Sequence, residues 1–140
     1  MNDRSPAQIY AGVMGATLVI AGVIGFFYSA SFGAPGTTHD VFGVLSVNAW
    51  HNIVHILTGV VGLVSLGYAA ARSYALVLGV AYVAIAIWGF ILGDFGAILG
   101  FIPVNTEDSV LHAVIGATGL FAYAVTPSAP GRGRAAPEAR

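Results

Sequence analysis

Cysteine and lysine are both absent from this 140-residue chain, and only 8% of its residues are charged. Without cysteine there is no disulfide frame, no thiolate-bound zinc or iron–sulfur centre and no thiol nucleophile. Without lysine, Schiff-base chemistry is excluded. A soluble domain is about one quarter charged, so there are too few charges here to solvate a globular surface. The net charge of −1 offers nothing to nucleic acid or to an anionic lipid surface. No phosphate-cradling glycine loop, hydrolase nucleophile elbow or HExxH is found, and no residue is singled out as catalytic. What is abundant is apolar: 57% of residues are hydrophobic. The solvent that suits such a chain, and its first partner, is the lipid bilayer.

Uncharged runs extend from Arg4 to Asp40, from Asp40 to Arg72, from Arg72 to Asp94 and from Asp108 to Arg132. Each is long enough for a spanning helix of about 20 residues. The pattern predicts an all-α integral membrane four-helix bundle over residues 1–125, with helices at 7–28, 48–70, 74–92 and 107–125. Residues 126–140 are rich in Pro, Gly and Arg and read as a disordered tail. Helix 1 is longer than a signal-peptide core of about 7–15 residues and is read as retained. Arg4, Arg72, Arg132, Arg134 and Arg140 fall at the N-terminus, between helices 2 and 3, and in the tail. Asp40, Asp94, Glu107 and Asp108 fall in the other two loops. The positive-inside rule therefore predicts a multi-pass protein with both termini cytoplasmic.

The two halves of the sequence align with each other. Residues 10–26 fall on 74–90 without gaps, with seven identical pairs, and residues 42–63 fall on 99–120, again with seven. The second set includes Asn48/Asn105, His55/His112, Gly59/Gly116 and Gly62/Gly119. Two tandem helical hairpins are expected, inserted the same way up and related by an axis along the membrane normal. Helices 2 and 4 would then be equivalents that meet at that axis. Glycines on helices 1, 2 and 4 predict close helix packing, and the same faces could support homo- or hetero-oligomers.

The few polar residues collect at the starts of helices 2 and 4. Asn48 and Asn105 stand where an N-cap belongs. Trp50 and His51 suit the membrane interface, and Asp108 suits the first turn of a helix, where the dipole favours a carboxylate. On each helix the pairs His51/His55 and Asp108/His112 are spaced i, i+4 and share a face. Together, His51, His55, Asp108 and His112 would make a shell for a divalent metal ion. Alternatively, His55 and His112 would serve as the axial ligands of a haem b. His55 and His112 lie about 10 Å into their helices, a depth at which an ionisable group is costly and points to function. Hydrogen bonding between the two imidazoles is the structural alternative. Asp94, in Gly93-Asp94-Phe95-Gly96, reads as a turn residue, and His39 as a solvated loop residue.

Three segments carry a family resemblance: Arg-Ser-Pro-Ala-Gln-Ile-Tyr-Ala at 4–11, Asn-Ala-Trp-His-Asn-Ile-Val-His at 48–55, and Pro-Val-Asn-Thr-Glu-Asp-Ser-Val-Leu-His at 103–112. They resemble the domain-of-unknown-function 4383 family of small bacterial membrane proteins, which implies a bacterial plasma membrane and no established activity. Three functional readings follow. The first is a non-enzymatic membrane protein that binds a metal ion or haem near the outer leaflet. The second is an electron-transfer or oxidoreductase subunit. The third is a structural or accessory protein whose histidines are polar packing.

Overall fold

The computed structural model describes residues 4–33 and 39–128. Its elements run in the order α1 (Pro6–Tyr28), β1 (His39–Val41), β2 (Leu45–Val47), α2 (Ala49–Val64), α3 (Tyr68–Leu92), β3 (Gly96–Ile98), β4 (Ile102–Val104) and α4 (Thr106–Val125). The order helix–hairpin–helix thus occurs twice. Arg132, Arg134 and Arg140, counted above for orientation, lie outside the described residues.

Each helix start has a local cause. Ser5 caps α1 in a reciprocal capping box with Gln8, and Pro6 follows in the first turn, where its missing N–H costs nothing. Asn48 caps α2 by accepting from the His51 amide, and Asn105 caps α4 by accepting from the Asp108 amide. α3 begins after Gly67. The boundary between α2 and α3 therefore falls earlier than the expected 70–74. Arg72, taken as a loop marker, sits inside α3. There its guanidinium lies 3.9 Å from the Tyr123 ring centroid, and its Nε donates to the Thr126 carbonyl. The side chain's reach carries the charge to the end of the bundle, so the charge does not have to lie in a loop. Thr126 itself, expected to open the tail, is buried. Its hydroxyl accepts from the Ala7 amide and donates to the Ala122 carbonyl.

α1, α3 and α4 are long and apolar enough to cross a membrane, and α2 is a shorter apolar helix. Large apolar side chains such as Val13, Ile20, Phe27, Val77, Ile91 and Phe121 point outward. A surface of that kind would aggregate in water and is the natural surface in lipid. The protein is a membrane bundle.

α1 packs chiefly on α2, and α3 on α4. Both crossings are made at glycines, Gly15 against Gly59 and Gly79 against Gly116. The equivalent helices that meet between the halves are α1 and α3, whereas α2 and α4 have little backbone contact. The expectation that helices 2 and 4 meet at the axis is corrected by this packing. Its physical reason is the tyrosine pair Tyr10 and Tyr74, whose ring centroids are 6.3 Å apart in the core. The Tyr10 hydroxyl donates to the Ile115 carbonyl of α4, and the Tyr74 hydroxyl donates to the Thr58 carbonyl of α2. These are matching positions of the two halves.

The loops expected between helices are antiparallel hairpins, with His39 paired to Val47 and Gly96 to Val104 at their open ends. Phe42 and Gly43 in one turn, and Leu99 and Gly100 in the other, have positive φ. Val44 donates to the Val41 carbonyl and Phe101 to that of Ile98. Paired positive φ with an i+3 bond is what a type I′ turn requires. Asp94 does more than turn the chain. It accepts from both the hydroxyl and the amide of Thr106, which ties the end of α3 to the start of α4. Those two bonds hold its carboxyl below the ordinary carboxylate range.

Candidate metal centre

The N-terminal turns of α2 and α4 lie against the two hairpins, and each capping asparagine reaches across to the other half. Asn48 Nδ2 donates to the Phe101 carbonyl at 2.7 Å, and Asn105 Nδ2 donates to the Val44 carbonyl at 2.6 Å. One amide group therefore starts its own helix and clamps the opposite turn. This cross-bracing fixes how the two helix starts face each other, although their backbones barely touch.

Into the space between them project His51 and His55 from α2 and His112 from α4. One ring nitrogen from each lies within 4.8 Å of the other two. The ring centroids of His51 and His55 are 4.5 Å apart, those of His51 and His112 6.0 Å, and those of His55 and His112 6.2 Å. His51 is 3% exposed and His112 6%, while His55 is half-buried. His51 Nδ1 stands 3.0 Å from the Ser46 carbonyl in β2. A carbonyl can only accept, so Nδ1 donates to it, and in the neutral ring Nε2 then carries the lone pair. His112 Nδ1 is buried with no hydrogen-bond partner. Among the described residues, no imidazole is hydrogen-bonded to another.

The rings border a cavity of about 40 Å³ whose other walls include Tyr82, Ile98 and Val104. A water molecule needs at least roughly 10–15 Å³ of such space, so an ion with one or two waters fits. Tyr82 packs edge-on to His112 at 5.0 Å between centroids.

Of the four residues expected to converge, three do. Asp108 lies on the same helix face, one turn nearer the hairpins, with its carboxylate otherwise engaged. Its Oδ2 accepts from the Ser46 amide at 3.0 Å and from the Asn105 amide at 3.3 Å. It completes the capping box of α4 and anchors β2. Through Ser46, the same hairpin residue binds Asp108 by its amide and His51 by its carbonyl. Sequence reasoning did not find Ser46 or Tyr82. Ser46 acts through its backbone, which leaves no side-chain signal. Tyr82 falls on Leu18 in the repeat alignment, one of ten differing pairs among the 17 of helices 1 and 3, so nothing in the sequence marked it out.

Residues 8–125 match the family described as Domain of unknown function (DUF4383), and the chain belongs to that family. No curated protein and no solved structure matches it significantly.

Proposed function

We propose that this member of the DUF4383 family binds one divalent transition-metal ion through His51, His55 and His112, near the outer face of the membrane. The observation that carries the reading is the convergence of three ring nitrogens within 4.8 Å on an ion-sized cavity. Zinc–imidazole bonds of about 2.0–2.1 Å put tetrahedral nitrogens roughly 3.4 Å apart, so binding draws the rings inward by a small rotation. Three neutral imidazoles suit zinc, copper, cobalt or nickel. The Ser46 carbonyl on His51 Nδ1 is the kind of outer partner that orients a metal-bound histidine. Three protein ligands leave a fourth position for water or another ligand.

The His51 ring favours an ion over haem: 4.5 Å from the His55 ring and 6.0 Å from the His112 ring, it occupies one side where a macrocycle between those two would extend. Polar packing is the weaker alternative, since the rings make no hydrogen bond with one another and His112 Nδ1 is left unpaired. Burying such a group without compensation costs about 1–3 kcal/mol. Elemental analysis of protein purified from the membrane tests the reading. About one ion per chain is expected from the single site, and His112→Ala should lose it while still inserting. Unchanged metal content in His51→Ala, His55→Ala and His112→Ala would refute the site.

Arg4 and Arg72 lie at the end of the bundle opposite the hairpins, where Asp40, Asp94 and Glu107 are found. By the positive-inside rule this supports cytoplasmic termini and outward-facing hairpins in a plasma membrane. The acidic groups of Asp40, Asp94 and Glu107 line a groove on the hairpin face, which would raise the local cation concentration next to the site. The chain has no cysteine, so Leu99→Cys in the exposed β3–β4 turn provides a single label. An impermeant thiol reagent added to intact cells should modify it. Labelling only after lysis would reverse the orientation.

A further inference from the structure

A second cavity, of about 390 Å³, reaches the histidines from the opposite side, between α1, the β1–β2 hairpin and α4. Its walls include Leu18, Ala21 and Val41, and His55, Asp108 and His112 also line it. The repeat alignment shows what this space is. Leu18 and Ala21 occupy the positions of Tyr82 and Ile85, Val41 that of Ile98, Asp108 that of His51, and His112 that of His55. Those counterparts line the 40 Å³ cavity. Each half therefore has a cavity at the equivalent place, the two lying on either side of the same histidine cluster. One half fills its cavity with the phenol ring of Tyr82, packed edge-on to His112. The other half has leucine and alanine there, and its cavity is open.

The geometry points to a binding site, in the open cavity, for a bilayer-soluble six-membered ring bearing oxygen, of the phenol or quinone class, with its ring in the place that Tyr82 fills in the other half. The walls are apolar and lie within a membrane bundle, so the ligand arrives from lipid. A plain acyl chain would satisfy the walls but offer no polar atom to the floor, which His55, Asp108 and His112 line. A ring oxygen supplies one. The equivalence places the ring edge-on to His55, as Tyr82 is to His112. The site rests on the proposed function in one respect: two of the histidines on its floor, His55 and His112, are ones that would hold the ion.

Leu18→Tyr restores the residue of the filled half and replaces no histidine. Ala21→Ile does the same one turn further along, and it guards against a fold defect in the first variant. The probe is a decyl-tailed benzoquinone, titrated calorimetrically into metal-loaded, detergent-solubilised protein, with decylbenzene as the oxygen-free control. Wild type should bind one quinone, and decylbenzene about tenfold more weakly, the worth of one hydrogen bond. Both variants should lose saturable binding and keep the metal content of wild type. Quinone binding that survives in both variants, or decylbenzene binding as tightly as the quinone, would overturn the proposal. Metal content is read on the same samples. A wild type that binds quinone but no ion would therefore refute the metal site and leave the cavity assignment standing.

Discussion

Gly116→Ala should destabilise the bundle by about 1–3 kcal/mol, the usual cost of overpacking a tight interior. A Cβ at Gly116 would stand 2.7 Å from the Val83 amide nitrogen and 2.9 Å from the Gly79 carbonyl oxygen of α3. Both neighbours are backbone, so neither can rotate away, and α3 and α4 must separate. Gly59→Ala meets the same obstacle in the other half, at 2.6 Å from the Gly15 carbonyl oxygen. Alanine favours a helix over glycine by about 0.8–1.0 kcal/mol, which opposes the clash without cancelling it. Gly12→Ala isolates that opposing term. Its new Cβ would meet only the Leu66 side chain, at 3.6 Å, an ordinary contact. Chemical unfolding in detergent should show Gly12→Ala neutral or stabilised and Gly116→Ala and Gly59→Ala destabilised. Equal effects at all three positions would mean that the glycines are not the crossing points.

Asn105→Ala should cost about 1–3 kcal/mol, combining a lost N-cap with a lost hydrogen bond to the part-buried Val44 carbonyl. The side chain does two jobs at once, accepting from the Asp108 amide and donating to the Val44 carbonyl. Serine retains the first job and is too short for the second. Asn105→Ser should therefore recover the cap share alone, about 1 kcal/mol. Because Asn105 also holds the start of α4 against the opposite hairpin, Asn105→Ala should weaken metal binding by a chain that still folds. A loss of stability with metal affinity unchanged would show that the cross-brace is not what aligns the histidines.

Much of this architecture is written in the sequence in simple terms. The four apolar helices follow from where charge is missing, and the caps at Asn48 and Asn105 follow from the hydrogen-bonding chemistry of asparagine. The i, i+4 spacing put His51 with His55, and the alignment put His112 opposite them. Three features were not legible, each for a physical reason. The hairpins have strands of three residues, too short to show alternation, and their turns begin with Phe42 and Leu99 in place of the asparagine or aspartate that announces a type I′ turn. The pairing of α1 with α3 turns on Tyr10 and Tyr74, whose alignment was visible but whose hydroxyls reach the Ile115 and Thr58 carbonyls only in three dimensions. Asp108 shares a helix face with His112, and spacing alone cannot distinguish a carboxylate aimed at a cluster from one held by the Ser46 and Asn105 amides.

The central claim is that three imidazoles share one ion. X-ray absorption spectroscopy on the zinc- or cobalt-loaded protein tests it most directly, because multiple scattering from imidazole rings counts histidine ligands. The structure leads to three imidazole nitrogens at about 2.0–2.1 Å with a lighter oxygen donor completing the shell, and to two imidazoles in His112→Ala if that variant still holds metal. A shell made only of oxygen, or an imidazole count unchanged by His112→Ala, would contradict it.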